Sequence, residues 1–385
     1  MLIDDTFTII AICTLVLLVI LSSVLNPFLR KVESAADADE NEVAESEMPA
    51  VSIIVLATGT TETLDAHLSV LLTQNYEQPY EVIVVGVKGD LSTEDVIGKY
   101  SVDHKNLYST YIPQRSLFIS KQKLSVALGV KAAHNEWIVL LDAKDRPASS
   151  MWLRKMAAKM DKDTNLVLGY ANYDLEAKPY YRFDRLRNEC YLLRKASRKT
   201  AYRTESGNFA FRRSEFLEQD GYLGNLQYVG GEYEFLINKF ARTNSSRIAV
   251  SPEAFVIEDA PSKKAWLNRK LYLKSIRKDL ERTSAARSLY VADLLFMYLN
   301  YIAIIAAAAY SGLTMNWILL GTSALTLILT ITSRILSARK AYRKFEADLS
   351  LWTVVFYEFS IVFHKLSVIL RYRMADKYDF TTHKL

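Results

Sequence analysis

Two aspartates and a lysine follow an apolar run near the middle of this chain. The run ends at Leu141 and is followed by Asp142, Lys144, Asp145 and Pro147. Carboxylates at a strand end, stopped by a proline, can hold a divalent cation against a diphosphate, because hard oxygen ligands suit Mg²⁺ or Mn²⁺. A polar turn that caps the next helix would use the same residue types. These residues alone do not separate the two interpretations.

The elements that would position this turn alternate between short apolar strands and helical stretches, which is typical of a parallel α/β sheet. The pattern predicts strands and helices in this order: Val51–Leu56, Thr63–Leu72, Glu81–Val85, Lys121–Ala133 and Glu136–Leu141. Such sheets bind ligands at the carboxyl ends of their strands, so we expect the chemistry just after Leu56, Val85 and Leu141. The chain has neither a Gly-x-Gly-x-x-Gly after the first strand nor a Gly-Lys-Ser/Thr loop, which argues against dinucleotide-binding and P-loop folds.

Several stretches of the chain together form a recognisable pattern. They are the strand Val51–Leu56 with Gln74, Asn75 and Tyr76 before Glu81–Val85, the stretch Lys121–Ser149, Gly207 to Arg212 (Gly-Asn-Phe-Ala-Phe-Arg), and Gly230 to Leu236 (Gly-Gly-Glu-Tyr-Glu-Phe-Leu). This pattern resembles the inverting family-2 glycosyltransferases over roughly Val51 to Ser275, and the apolar segments at both ends suit their membrane-bound branch. The resemblance implies a GT-A-like fold, a mixed and mostly parallel α/β domain that binds a nucleotide-sugar.

The chain departs from the family pattern at five places. Gly59 and Thr60 replace the family's Asn-Glu after the first strand, and Gly86 and Val87 follow the second strand, where the family has an Asp. Lys144 replaces the second Asp of the Asp-x-Asp metal motif, and Tyr233 replaces the catalytic Asp. The family's Gln and Arg positions near a Trp correspond to Arg269, Leu271 and Tyr272 after Trp266. These losses favour an inactive relative, whereas the retained turn and the Gly-Asn-Phe-Ala-Phe-Arg strand favour an enzyme.

Candidate roles follow from the resemblance and, where a family residue is replaced, from its neighbours in this chain. They are Glu232 and Glu234 as catalytic base, Asp142, Lys144 and Gly86 as donor-binding residues, Asn208, Arg212 and Trp266 on the acceptor side, and Asp142 and Asp145 as ligands of Mg or Mn. Two mechanisms are compatible with these roles. In one, Lys144 itself neutralises the diphosphate leaving group and no metal is used. In the other, Asp142 and Asp145 bind a metal in a shifted geometry, while Glu232 or Glu234 deprotonates the acceptor hydroxyl.

Three apolar segments predict membrane crossings, namely Phe7–Leu29, Leu289–Tyr310 and Leu313–Ile335, each long enough to span about 30 Å. Ser311 and Gly312 separate the last two, which we interpret as a tight hairpin. Arg30 and Lys31 follow the first segment, and basic residues flank the last two on their outer sides, which places the middle of the chain in the cytosol. A fourth apolar stretch, Leu349–Leu370, carries charged residues and is interpreted as an interfacial or re-entrant helix, with a fourth crossing as the alternative.

The predicted organisation is therefore five-part. It comprises a transmembrane anchor (1–31), an acidic linker (32–50), a cytosolic glycosyltransferase-like domain (51–287), a transmembrane hairpin (288–337), and an interfacial helix with a basic tail (338–385). The linker, from Glu33 to Glu47, is rich in carboxylates, which is typical of a solvated spacer or a short amphipathic helix.

Charge and cysteine usage limit the function classes. With 48 basic and 43 acidic residues, the net charge of +5 favours neither a nucleic-acid-coating protein nor a strongly acidic one. Two cysteines provide no disulfide framework, which favours a reducing compartment. Tyr180–Arg203 holds eight Arg or Lys residues on a predicted amphipathic helix, which indicates either contact with anionic lipid or a packed helix with one solvated face.

We therefore predict a multi-pass protein of a bacterial inner membrane. It would transfer a sugar from a nucleotide-sugar donor to a membrane-associated envelope glycan or glycolipid at the cytosolic face, with membrane lipids as partners and no nucleic acid. The alternative is an inactive homologue that acts as a scaffold or regulator of a glycan-assembly partner. A transporter fits poorly, because the apolar segments contain few polar residues.

Overall fold

The computed structural model describes residues 6–33, 45–58, 63–116 and 118–382. The chain divides into two compact units. One consists of Met1–Lys31 and Ser284–Phe363, and the other of Val32–Thr283 and His364–Leu385. Most of the acidic linker lies outside the described residues, as do Gly59 and Thr60.

The larger unit is built on a seven-stranded mixed sheet. Its strands are β1 (Val51–Leu56), β2 (Tyr80–Val87), β3 (Leu107–Ile112), β4 (Trp137–Asp142), β6 (Leu166–Gly169), β8 (Phe209–Arg212) and β9 (Ser246–Ala249), in the order β3-β2-β1-β4-β8-β6-β9. Strands β1 to β4 are parallel, whereas β8 runs antiparallel to both β4 and β6. The predicted fold class, a mixed and mostly parallel α/β sheet, is confirmed.

Strands β1, β2 and β4 form because they are continuous runs of β-branched and other apolar residues that are covered on both faces. Every residue of β1 and β4 is buried. Burying one such Val, Leu or Ile side chain stabilises the fold by about 1.5–3 kcal/mol, so this central pair of strands is a rigid base for the turn at the end of β4.

A small second sheet lies beyond the end of β4. It contains β5 (Asp145–Pro147), β10 (Val256–Glu258) and β7 (Ala171–Tyr173), in the order β5-β10-β7. Strand β10 runs antiparallel to β5, and this register pairs Glu258 with Asp145. Two residues that are far apart in sequence thus meet beside the turn after β4.

Helices cover the large sheet and connect its strands. They are α2 (Leu64–Leu72), α3 (Leu91–Ser101), α4 (Lys121–Ala132), α5 (Trp152–Ala157), α6 (Pro179–Arg198), α7 (Arg213–Glu218), α8 (Glu234–Phe240) and α9 (Lys263–Ile276). Their starts obey local rules: the side chains of Asp90, Ser120 and Ser262 cap α3, α4 and α9 by accepting backbone N–H groups.

Helix α6 contains most of the basic stretch singled out in the sequence. Phe183, Leu186, Cys190 and Leu193 form its buried apolar face, as the spacing predicts. Arg182, Arg185 and Arg187 are buried as well. These arginines therefore belong to the interior of the domain, and the packed-helix alternative applies to them.

The smaller unit contains helices α1 (Thr6–Val24), α10 (Thr283–Leu313) and α11 (Trp317–Lys344) and the start of α12 (Val354–Met374). Four helices of the described chain are long and apolar enough to cross a membrane: α1, α10, α11 and the stretch Leu351–Met374. Polar contacts join them, including Asn316 Nδ2 to Thr8 Oγ1 at 2.8 Å and Asn300 Nδ2 to Thr330 Oγ1 at 2.9 Å.

The predicted break at Ser311 and Gly312 is wrong. Helix α10 continues through both residues, and the Ser311 hydroxyl donates to the Ala308 carbonyl within the helix. The turn comes afterwards, where Met315 adopts a positive φ of 55° and the Asn316 side chain accepts the Leu319 N–H to start α11.

Candidate functional site

The site begins where β4 ends. Asp142 is the last residue of β4, pairs in register with Leu56 of β1, and is only 8% exposed. Its Oδ2 accepts a hydrogen bond from the Tyr233 hydroxyl at 2.5 Å. Burial, and then the Asp142 charge, raise the pKa of the Tyr233 phenol well above its usual value, so the phenol keeps the proton that it donates.

A lysine ammonium lies beside this carboxylate. Lys144 Nζ is 3.0 Å from Glu258 Oε1 and 3.8 Å from Asp142 Oδ2. Burial opposes the charged form, but Glu258 and Asp142 outweigh it and raise the pKa of Lys144. Its side chain is still 42% exposed, so the ammonium is held in place and remains open to a ligand.

Glu258 is the centre of the charge cluster. In addition to Lys144, it accepts hydrogen bonds from Arg185 Nη2 at 2.5 Å and from Arg269 Nη1 at 3.0 and 3.1 Å. Burial by itself would raise the pKa of this carboxyl, but Arg269, Lys144 and Arg185 hold it well below its usual value. One carboxylate from β10 therefore organises three cations, from the β4–β5 turn, α6 and α9.

Asp145 is buried directly behind Asp142. Its Oδ2 accepts the Asp142 backbone N–H at 3.0 Å, while its Oδ1 is buried and has no hydrogen-bond partner among the described residues. Burial, followed by the charges of Asp142 and Glu258, raises the pKa of Asp145 to about 8. A Cβ at Gly207 would approach Asp145 Oδ2 to 3.1 Å and the Leu141 backbone to 3.2 Å, so the close approach before β8 requires a glycine.

These residues do not fit a divalent metal ion. Lys144 already places a cation 3.8 Å from Asp142, and the Tyr233 hydroxyl donates to one oxygen of that carboxylate. Across residues 6–33, 45–58, 63–116 and 118–382, no group of three His, Cys, Asp or Glu side chains could hold a metal. The arrangement can neutralise an anion with fixed cations, which is the first of the two mechanisms that the sequence left open.

A glycine turn positions the two candidate bases. Gly231, with φ of +91°, precedes Glu232, and α8 begins at Glu234. Burial, and then the charges of Glu234 and Asp142, raise the pKa of Glu232 to about 7. Burial also raises the pKa of Glu234, although Arg203 opposes the shift. Glu232 therefore titrates near neutral pH, which suits a group that accepts a proton from a hydroxyl.

Lys123 holds the chain that leads into this turn. Its side chain is fully buried on α4, and its Nζ donates to the carbonyls of Asn225 and Tyr228 at 2.7 and 2.6 Å. Burial lowers its pKa to about 8, although the charges of Glu232 and Glu234 oppose the shift. Sequence reasoning missed Lys123, Glu258 and Arg185. Glu258 ends a short apolar run, whereas Lys123 and Arg185 lie among other basic residues, so the sequence does not distinguish them.

Two of the three predicted acceptor-side residues make structural contacts with distant parts of the chain. Asn208 is fully buried, and its amide bonds the Tyr170 and Ala254 carbonyls and the Trp152 indole N–H. Arg212 is opposite Trp137, at the start of β4, because β8 is antiparallel; its guanidinium donates to the carbonyls of Thr164, Asp161 and Lys162.

The remaining predicted residues are near other aromatic groups. Trp266 on α9 stacks on Tyr181 with ring centroids 4.5 Å apart and an interplanar angle of 9°. Gly86 is opposite Tyr111 of β3, whose ring would be 3.1 Å from an added Cβ. The structure thus brings Asp142, Lys144, Asp145 and Glu232 into one charged site.

Solved structures similar to this chain include two that contain a nucleotide-sugar. A mannosyltransferase, PcManGT from Pyrobaculum calidifontis in complex with GDP-Man and Mn²⁺, is 17% identical with a TM-score of 0.50, covering 88% of this chain and 99% of that one. TarS residues 1–349 from S. aureus, in complex with UDP-GlcNAc, is 13% identical with a TM-score of 0.42, covering 84% and 92%. No curated protein matches the sequence significantly.

The sheet topology and its charged carboxyl edge define a GT-A type glycosyltransferase fold, in agreement with the likeness to the mannosyltransferase. Residues 52–221 match the family model for glycosyl transferase family 2. The resemblance inferred from the sequence is confirmed.

Proposed function

We propose that this protein transfers a sugar from a nucleoside diphosphate sugar to a membrane-associated glycan or glycolipid, with Lys144 in place of a metal ion. The observation that carries the proposal is the partly exposed Lys144 ammonium, held 3.0 Å from Glu258 and 3.8 Å from Asp142 at the carboxyl end of β4. A fixed cation at this edge of the sheet can neutralise a diphosphate as its charge develops.

The reaction balances with residues of this chain alone. The acceptor hydroxyl oxygen forms a bond to the anomeric carbon on the face opposite the leaving group, which inverts that centre. The bond from the anomeric carbon to the diphosphate oxygen breaks, and the nucleoside diphosphate leaves with the electron pair beside Lys144. Glu232 accepts the hydroxyl proton, for which its pKa of about 7 is suited.

We further propose a cytosolic location for the 51–287 domain at a bacterial inner membrane, with the 288–337 hairpin and the 1–31 anchor crossing it. The C-terminal tail supports three crossings rather than four. Val229 N–H donates to the Phe380 carbonyl, and Thr382 N–H donates to that of Gln227, so the tail is bound to the domain that contains Glu232. If α12 crossed the membrane, the tail and this domain would be on opposite sides of it. Their hydrogen bonds therefore favour an interfacial or re-entrant α12.

Nucleotide binding tests the donor site. We expect calorimetry on the detergent-purified full chain to detect UDP or GDP with micromolar affinity, about −8 kcal/mol, and we expect added Mn²⁺ to leave the affinity unchanged. Lys144→Gln should weaken binding at least about tenfold, whereas Lys131→Gln, an exposed lysine on α4, should have no effect. Binding that requires Mn²⁺ would refute the lysine mechanism and favour the metal alternative.

The pH dependence of transfer tests the base. Because Glu232 must be ionised to accept a proton, the rate should increase with pH through about 7 and then level off. Glu232→Gln should remove this step and slow transfer about 10²–10⁴-fold. Nucleotide affinity should be retained, and a variant that transfers at the wild-type rate would exclude Glu232 as the base.

A second candidate function is an inactive scaffold or regulator of a glycan-assembly partner. The observation that favours it is that two acidic groups of the site already have protein partners: Asp142 contacts Tyr233, and Glu258 contacts three cations. If neither UDP nor GDP binds under any condition while the protein remains folded, we would adopt this function. Crosslinking to membrane proteins would then identify the partner.

A further inference from the structure

The end of helix α11 carries a basic face that the proposed sugar-transfer site does not use. Leu336, Arg339, Lys340, Arg343 and Lys344 line one cavity of about 550 Å³. Their spacing of three and four residues places all five on the same side of the helix. One apolar residue is therefore followed, over two turns, by four cations that face the same space.

Most of these cations are not neutralised by the protein. Arg339, Lys340 and Arg343 are exposed, and none forms an ion pair with a carboxylate in the part of the chain that the structure describes. Arg334 on the same helix is different. It is fully buried and reaches Glu358 at 2.6 Å and Asp293 at 3.4 Å. Buried carboxylates thus neutralise Arg334, whereas Arg339, Lys340 and Arg343 are exposed to an external anion.

The position of this face along α11 identifies the kind of anion. Trp317, 71% exposed at the start of α11, is the type of residue that marks a membrane interface. A helix rises 1.5 Å per residue, so about 20 residues cross a 30 Å hydrocarbon core and bring the opposite boundary to Leu336. Arg339 to Lys344 then lie roughly 5–12 Å beyond the core, within the headgroup layer.

We propose that this cavity binds the phosphate group of an anionic membrane lipid. Arg339, Lys340, Arg343 and Lys344 would contact the phosphate, and the exposed Leu336 would contact the adjoining apolar part of the lipid. The inference rests on the proposed membrane location and does not depend on sugar transfer. A phospholipid headgroup and a lipid-linked diphosphate offer the same chemistry to these four cations, and the test distinguishes them.

Native mass spectrometry of the full chain in a nonionic detergent tests the site. The protein is titrated with phosphatidylglycerol, phosphatidylethanolamine and a polyprenyl diphosphate. We expect phosphatidylglycerol or the polyprenyl diphosphate to bind at least tenfold more tightly than phosphatidylethanolamine. The triple variant Arg339→Gln, Lys340→Gln, Arg343→Gln should lose that preference, since each basic residue near an anionic surface contributes about fivefold, or 1 kcal/mol.

The matched control removes the same charge elsewhere. Lys105→Gln, Lys131→Gln, Lys162→Gln changes three exposed lysines of the soluble domain and should keep the preference. Preference for the polyprenyl diphosphate over phosphatidylglycerol would identify the cavity as a site for a lipid-linked substrate, and equal binding would identify it as a headgroup site.

Two results would overturn the proposal, and the second would also refute the proposed membrane location. If the triple variant, with an unchanged Tm, binds anionic lipid as tightly as the control does, the cavity is not the site. If no lipid of any kind binds to the wild-type protein, both the lipid site and the proposed membrane location are refuted. Neither result bears on nucleotide binding, which calorimetry measures independently.

Discussion

Replacing Glu258 by glutamine should destabilise the soluble domain strongly. The substitution keeps the size of the side chain but removes the charge that faces Lys144, Arg185 and Arg269. Arg185 is the decisive partner, because it is 1% exposed and its Nη2 is 2.5 Å from Glu258 Oε2. Water cannot replace the lost carboxylate at a guanidinium that is buried this deeply.

The expected size of the effect depends on that burial. Removing one partner of a buried ion pair costs about 3–5 kcal/mol, and we expect the lower value because the glutamine carbonyl still accepts a hydrogen bond. For a domain of about 150–250 residues, each kcal/mol lowers Tm by about 2–4 °C, so Glu258→Gln should lower Tm by about 6–12 °C. Thermal unfolding followed by intrinsic fluorescence measures this shift.

An exposed pair provides the control. Asp65 and Lys99 are 2.8 Å apart, but both side chains are about half exposed, so Asp65→Asn should leave Tm within experimental error. If Glu258→Gln shifted Tm no more than Asp65→Asn, the three cations would not depend on Glu258, and our account of the site would be wrong.

The pH dependence provides an independent check with a definite sign. The pKa of Glu258 is well below its ordinary value of 4.5, so its stabilising effect is complete above that value and is lost as pH falls toward the folded-state pKa. The Tm difference between wild type and Glu258→Gln should therefore be constant near neutral pH and narrow below about pH 4.5. A difference that widens in acid would contradict the ion-pair explanation.

Three further substitutions test neighbouring contacts. Tyr233→Phe should cost about 1.5–3 kcal/mol by removing the hydrogen bond to the Asp142 carboxylate, and an unchanged Tm would show that this bond is not formed. The carboxyl of Asp145, with a pKa raised to about 8, should make the wild-type protein less stable as pH rises from about 4 to 8. Asp145→Asn should reduce this decrease in stability. Parallel pH profiles for wild type and variant would refute this. Glu358→Gln should lower Tm in detergent, because it removes the carboxylate that is 2.6 Å from the buried Arg334 guanidinium, and wild-type stability would contradict the pairing.

The predicted strands and helices agree closely with the structure where the pattern is local. Strand Val51–Leu56 has the predicted bounds, and the helix predicted as Lys121–Ala133 differs by a single residue. Such runs are recognisable because β-branched segments and capping residues act within a few positions of the chain. The short strands β5, β7 and β10 were not predicted, since three residues are too few for a periodic signal.

The candidate site was predictable only in part. Asp142, Lys144 and Asp145 are identified because they come after a strong strand, and Glu232 because it adjoins Tyr233, which is at the family's catalytic position. Asn208 was placed on the acceptor side, yet its amide bonds buried groups near Trp152 and Tyr170. A side chain's role depends on what surrounds it, and the surroundings come from distant parts of the chain.

The amino-acid sequence by itself determined the apolar helices, the central strands and the resemblance of the soluble domain to family 2, because hydropathy and motif spacing are local properties. Only the tertiary structure decided which charges meet. Arg185 and Glu258 are 73 residues apart, and they pair because α6 and the second sheet are packed together. The antiparallel direction of β8 likewise places Arg212 at the far end of β4 from Asp142. Ion pairing depends on distances of a few ångströms, and the fold, rather than the spacing along the chain, sets those distances.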